Sequence, residues 1–172
     1  MFKLNGKETR ELNPPTNVVR SSVYLLLWLG FIFATSCTAV RPRELYSIVR
    51  YLTGASDASL EQFKLFWFTS WFAIVKGWHF TEFAIATLLV NQVVAWLRGI
   101  RDFRTIAISM VFTAVYAISD EWHQSFVPDR IGSIEDVVID CLGIGAAGIL
   151  LISRYIRENK RMARGRETTE IV

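Results

Sequence analysis

The sequence predicts an all-α membrane protein, a four-transmembrane-helix bundle with an interfacial or re-entrant helix between spans 1 and 2. Three observations predict it. Apolar residues run in blocks instead of alternating with polar ones, hydrophobic side chains make up 52% of the chain, and Lys and Arg gather at the edges of the blocks. A soluble domain of 172 residues would interleave polar positions through its apolar segments. The net charge of +3 is not a nucleic-acid footprint, because the cations flank hydrophobic spans and line no single polar face. Their place beside the spans suits anionic lipid, so the expected partners are membrane lipids and no nucleic acid.

A bilayer core of about 30 Å asks for roughly 20 mostly apolar residues per helix. Residues 1–21 read as a polar tail, 22–153 as the transmembrane domain and 154–172 as a basic tail. Span 1 is placed at Val23 to Val40, span 2 at His79 to Leu97, span 3 at Thr105 to Gln124 and span 4 at Asp136 to Ile152. Ala34-Thr35-Ser36-Cys37 loosely matches a lipoprotein cleavage box, but it lacks the usual leucine, so span 1 is read as retained. The aromatic stretch Phe63 to Val75 joined to span 2 would reach about 50 Å at 1.5 Å per residue, too long to cross once. Glu61 to Val75 is therefore expected to form the interfacial or re-entrant helix, with Trp67 and Trp71 near the headgroups and a break at Lys76-Gly77.

Orientation follows from the distribution of Lys and Arg. Thirteen lie in the N-terminal tail, the loop holding Arg98, Arg101 and Arg104, and the C-terminal tail; five (Arg41, Arg43, Arg50, Lys64 and Arg130) lie on the opposite side. The positive-inside rule then places both termini in the cytoplasm. Lys76, His79 and Glu82 open span 2, Asp120 to Gln124 close span 3, and Asp136 and Asp140 open span 4. All therefore fall at the outward ends of their helices, as one polar cluster.

At 100° per residue, Asp120, His123 and Gln124 share a helix face with Glu121 beside it. Asp136 and Asp140 are one turn apart, above a small-residue stripe of Gly143, Gly145, Ala146, Ala147 and Gly148 that lets a neighbouring helix approach closely. Asn91 and Gln92 are expected to bond a neighbouring helix, and Ser36 and Thr38 to bond back to their own. Pro128 stops the third helix and shapes the turn that presents Arg130. Cys37 and Cys141 read as small buried hydrophobes, and two cysteines are too few for a cysteine-based zinc site.

Ionisable groups within a membrane are costly and point to a functional site. A binding reading uses Arg130 and Lys76 for an anionic headgroup, and Glu82, Asp120, Gln124, Asp136 and Asp140 for an amine or sugar. A catalytic reading uses Glu121 with His123 or His79 as acid and base, since imidazole titrates near neutrality. A metal reading draws on His79, Glu82, Asp120, Glu121, His123, Asp136 and Asp140, which offer imidazole and carboxylate without thiolate. The purely structural reading pairs Lys76 and Arg130 with the carboxylates to bolt the helices together. The sequence requires no cofactor, and binding ranks slightly ahead of catalysis.

Three segments carry a family resemblance: LLLWLGFIFATS in span 1, KGWHFTEF from Lys76 to Phe83, and DEWHQSFVPDRIGSIEDVVIDCLGIGAAG from Asp120 to Gly148. With them the chain resembles the VanZ-like family of small bacterial multispanning proteins, named for a teicoplanin-resistance protein. The match carries over Lys76, His79, Asp120, Glu121, His123, Gln124, Arg130 and Asp136 as signature positions. Asp129 stands where the family commonly has glycine. The resemblance implies a bacterial plasma-membrane protein of the cell envelope, with a lipid-linked envelope precursor or a lipoglycopeptide as the partner to expect.

Overall fold

A computed structural model describes residues 14–38 and 42–170 of the chain. The expected N-terminal tail up to residue 13, the end of span 1 at residues 39–40, Arg41 and residues 171–172 lie outside the described residues. The described chain forms five helices and no strand: α1 Pro14–Ser36, α2 Pro42–Thr53, α3 Asp57–Arg98, α4 Phe103–Gln124 and α5 Ile134–Glu170. Four of them, α1, α3, α4 and α5, are long and apolar enough to cross a membrane, in keeping with the expected all-α membrane bundle.

Local chemistry sets the helix ends. Proline opens α1 and α2, where its missing N–H costs no helical hydrogen bond. Ser56 caps α3 by accepting from the Ser59 N–H at 3.3 Å, and Asp102 caps α4 by accepting from the Thr105 N–H at 2.7 Å. Arg98 donates to the same Asp102 carboxylate, and together these bonds hold Asp102 well below the usual carboxylate range. Gly99 ends α3 in the left-handed region at φ 63, the conformation that favours glycine after a helix.

Helix α3 is the axis of the bundle, packing on α1, α4 and α5. Ile32, Phe83, Ala86, Ala117 and Ile144 form the buried apolar core, flanked by Trp28, Met110, Ala114 and Tyr116. Two aromatic donors pin α1 in place: Trp28 Nε1 bonds the Glu82 carbonyl at 3.0 Å, and Tyr116 Oη bonds the Leu29 carbonyl at 2.9 Å. Outward faces stay apolar, with Leu26, Leu27, Val111, Val115, Ile118, Leu142 and Ile149 exposed, as a surface solvated by lipid requires.

Several expectations are corrected. The segment from Glu61 to Val75 is not a separate helix, and Lys76-Gly77 is not a break: α3 runs unbroken for 42 residues. A helical glycine costs only about 1 kcal/mol, and no proline is present to interrupt the hydrogen-bond ladder. The length problem is resolved differently. Burial is concentrated from His79 onward, whereas Leu60 is the sole buried residue before it, so the first half of α3 projects beyond the bundle. The short helix between span 1 and α3 is α2, which the sequence reading left unassigned. It meets α3 through Tyr46 on Phe63 and an Arg50–Asp57 ion pair at 3.1 Å. The segment from residue 154 stays helical to Glu170. Cys37 and Cys141 are free and lie on the outside of the bundle, not in its core.

The small-residue stripe is only partly an interface. A Cβ on Gly143 would stand 2.1 Å from the Phe80 carbonyl oxygen, so α5 touches the α3 backbone there. Gly148 similarly faces Met110, but Gly145 has open space around it and Ala146 is exposed. Gly143→Ala is therefore expected to destabilise the protein by about 1–3 kcal/mol, because a backbone atom must move aside. Gly145→Ala should stay within about 0.5 kcal/mol of wild type. Thermal unfolding of the two variants in detergent, side by side, measures the difference.

Candidate functional site

The polar cluster forms at the end of the bundle where α1 and α4 finish and α5 begins. It contains five buried ionisable side chains, His79, Glu82, Asp120, Glu121 and Asp140, with Gln124 buried among them. Buried carboxylates need compensation, and three of the four find it in hydrogen bonds from α1, α4 or the α4–α5 loop.

Asp120 is answered by α1 and by its own helix. Its Oδ2 accepts from Ser36 Oγ at 2.8 Å and from Gln124 Nε2 at 2.8 Å. Gln124 Nε2 also reaches Glu121 Oε1 at 3.1 Å, while its Oε1 accepts from Arg130 Nη1 at 2.8 Å. These neighbours fix the amide orientation, since a flip would set oxygen against carboxylate and NH₂ against guanidinium. Glu121 Oε2 takes the backbone N–H of Ser133 at 2.9 Å. Glu82 is held by Thr35 Oγ1 at 3.1 Å.

Both expected cations are engaged within the protein. Lys76 pairs with Asp136 across α3 and α5, with both side chains largely buried. Arg130 donates to Gln124 and to the carbonyls of Thr35 at 2.8 Å and Thr38 at 2.6 Å. Thr35 lies in the last turn of α1 and Thr38 just beyond its end, so Arg130 caps that helix while tying the loop to it. The turn that presents Arg130 contains Asp129 at φ 64. Aspartate tolerates this left-handed conformation better than most side chains. A Cβ on Gly132 would stand 2.1 Å from the Glu121 carbonyl oxygen, so the loop lies directly on the end of α4.

One part of the cluster is not satisfied. His79 Nδ1 lies 3.3 Å from Asp140 Oδ1 and 3.9 Å from Glu121 Oε1. Neither His79 Nδ1 nor either oxygen of Asp140 has a hydrogen-bond partner, although Asp140 is 0% exposed and His79 only 8%. The imidazole and carboxylate are near enough for an ion pair yet lack the alignment of a hydrogen bond. His79, Glu121 and Asp140 each offer one ligand atom, and these atoms lie within 4.8 Å of one another.

The predicted residues therefore divide. Lys76, His79, Glu82, Asp120, Glu121, Gln124, Arg130, Asp136 and Asp140 share one end of the bundle. His123 turns away: its ring packs 4.8 Å from Phe33 of α1, so the imidazole beside Glu121 is His79. Ser36 bonds Asp120, not its own helix, whereas Thr38 does bond back to Ala34 and Thr35. Thr35 was missed as a site residue, its hydroxyl at the depth of the charged series being the available signal, whereas Ser133 takes part through its backbone N–H, which no side-chain pattern reveals. Asn91 bonds Ser109 of α4 at 3.3 Å, and Gln92 is exposed.

This fold and site define a polytopic α-helical membrane protein with a polar centre at one end of its bundle. Residues 21–156 match the VanZ/LLP1 family, and the chain belongs to that family. No curated protein and no solved structure matches it.

Arg130→Ala removes the charged donor from Gln124 and from the carbonyls of Thr35 and Thr38. The expected cost is about 1.5–3 kcal/mol, the range for hydrogen bonds to a charged group. Arg130→Lys should recover less than half of it, because an ammonium cannot reproduce the planar fork. Unfolding midpoints of both variants in the same detergent check this.

Proposed function

We propose that this VanZ/LLP1-family protein receives the polar head of a lipid-linked or amphipathic cell-envelope molecule at the centre around His79, Glu121 and Asp140. The observation that carries the reading is the set of buried hydrogen-bonding atoms on His79 and Asp140 left without a protein partner. A protein seldom buries such groups unless something else completes them. The rest of the cluster is internally satisfied, which gives Lys76 and Arg130 a structural part and argues against their capturing an anionic headgroup. The head so received is rich in hydroxyl or amine groups, as the sugars and amines of envelope precursors are.

The distribution of Lys and Arg supports a bacterial plasma-membrane protein with both termini in the cytoplasm and the centre facing outward. In that orientation the centre meets envelope precursors in the outer leaflet, where lipoglycopeptides also act. Altered teicoplanin susceptibility would follow from a change in the availability of such molecules. A second reading, acid/base catalysis on the bound head, is favoured by the pairing of His79 with two carboxylates.

The test compares wild type with Asp140→Asn and His79→Ala at matched membrane levels, reading retained envelope lipids after purification and teicoplanin susceptibility of the cells. Loss of retained lipid by about tenfold or more, with susceptibility returning to that of cells lacking the gene, is expected for both variants. Unchanged lipid content and susceptibility would refute the reading. Glu121→Gln keeps the side-chain shape and removes proton transfer; lipid retained without turnover to a modified species would mark the catalytic version.

A further inference from the structure

We infer that His79, Glu121 and Asp140 form a divalent metal site, of the class that takes zinc or manganese, with at least one coordination position left for a ligand oxygen. The inference shares its residues with the reading above but does not rest on the identity of the envelope molecule, because metal binding is measured on the purified protein alone.

Geometry is the first ground. Two ligands each about 2.1 Å from one tetrahedral ion stand about 3.4 Å apart. His79 Nδ1 and Asp140 Oδ1 are 3.3 Å apart, His79 Nδ1 and Glu121 Oε1 3.9 Å, and all three ligand atoms lie within 4.8 Å of one another, so the set closes on one ion by side-chain adjustment alone. The three residues come from α3, α4 and α5, the helices that pack most directly on one another, so the packing of the bundle itself assembles the set.

Orphaned donor atoms are the second ground, and they are independent of the spacing. Both Asp140 oxygens and His79 Nδ1 are enclosed and, beyond the 3.3 Å approach of one to the other, have no hydrogen-bond partner in the protein. A proton on Asp140 would supply one hydrogen and leave the other oxygen unanswered. An ion accepts the lone pairs of all three groups at once.

Charge is the third. Glu82, Asp120, Glu121 and Asp140 are all buried, and His79 is the only buried side chain among the described residues able to balance them with positive charge. Lys76 is committed to Asp136 and Arg130 to carbonyl and amide oxygens. A divalent cation supplies the missing compensation where the carboxylates converge. The surroundings also suit a metal. Glu121 is oriented by Gln124 Nε2 and the Ser133 N–H, the kind of outer support that holds a ligating carboxylate in place. One imidazole with two carboxylates and no thiolate selects a first-row divalent ion over a soft one. Three protein ligands with an open position are the arrangement of sites that bind and polarise a ligand, not of closed structural sites.

The full-length protein, purified in detergent without chelator, is assayed for bound metals by mass spectrometry. After stripping, it is titrated with zinc, manganese and cobalt chlorides, with cobalt read by its visible absorption. About one equivalent of metal is expected for wild type, with binding lost in His79→Ala, Glu121→Gln and Asp140→Asn. Gln124→Ala, which removes only an orienting bond, should weaken binding about 10–100-fold. His123→Ala should bind as wild type does. Wild-type protein that neither carries nor takes up any of the three ions would overturn the inference whatever the variants do. So would a His123→Ala protein that loses metal as completely as His79→Ala while remaining helical by circular dichroism. Lipid retention that survives metal removal would leave the functional reading in place.

Discussion

Placing four carboxyl groups inside one end of an apolar bundle is the constraint that shapes this molecule. An unanswered charge there costs several kcal/mol, more than a typical packing contact returns. The fold meets the demand for three of the four by recruiting neighbouring elements and leaves Asp140 without a hydrogen-bond partner. Ser36 and Thr35 come from α1, Gln124 from the last turn of α4 and Ser133 from the loop, while Lys76 of α3 answers a further carboxylate, Asp136. Arg130 then joins these parts, since its guanidinium touches both Gln124 and the carbonyls at the end of α1. The α4–α5 loop is thereby a working part of the bundle and not a mere connection.

Close backbone approach is the second requirement. Gly143 lets α5 lie against α3 at Phe80, and that contact sits one turn below Asp140. Gly132 lets the loop lie against the end of α4, which brings the Ser133 N–H to Glu121. Two glycines therefore set distances at the site without contributing a side chain to it. The membrane-facing surface has a simpler rule, because large apolar side chains there replace the polar coat of a soluble bundle.

Much of this arrangement was legible in the residues. Hydropathy located the spans, and the 100° period placed Asp120 with Gln124 and Asp136 with Asp140. What periodicity does not give is the angle at which one helix meets the next. His123 shares a face with Asp120 by spacing and both meet α1, but Asp120 reaches Ser36 whereas the imidazole falls on Phe33. The pairing of Lys76 with Asp136, and of Arg130 with carbonyls instead of carboxylates, likewise depends on packing between elements far apart in sequence. Continuity of α3 through Gly77 was obscured by an argument from bilayer thickness, which limits what is embedded and not how long a helix is. Helix α2 was hidden because its charges lower the average hydropathy, although Leu45, Ile48, Val49 and Leu52 carry a helical spacing.

Because α3 is a single rod, its two halves share one axis. The projecting arm bears Phe68, Trp71 and Phe72 on its outside, and the embedded arm bears His79 and Glu82. No proline and no helix break separates the two, so the aromatic arm and the site residues of α3 belong to one continuous element.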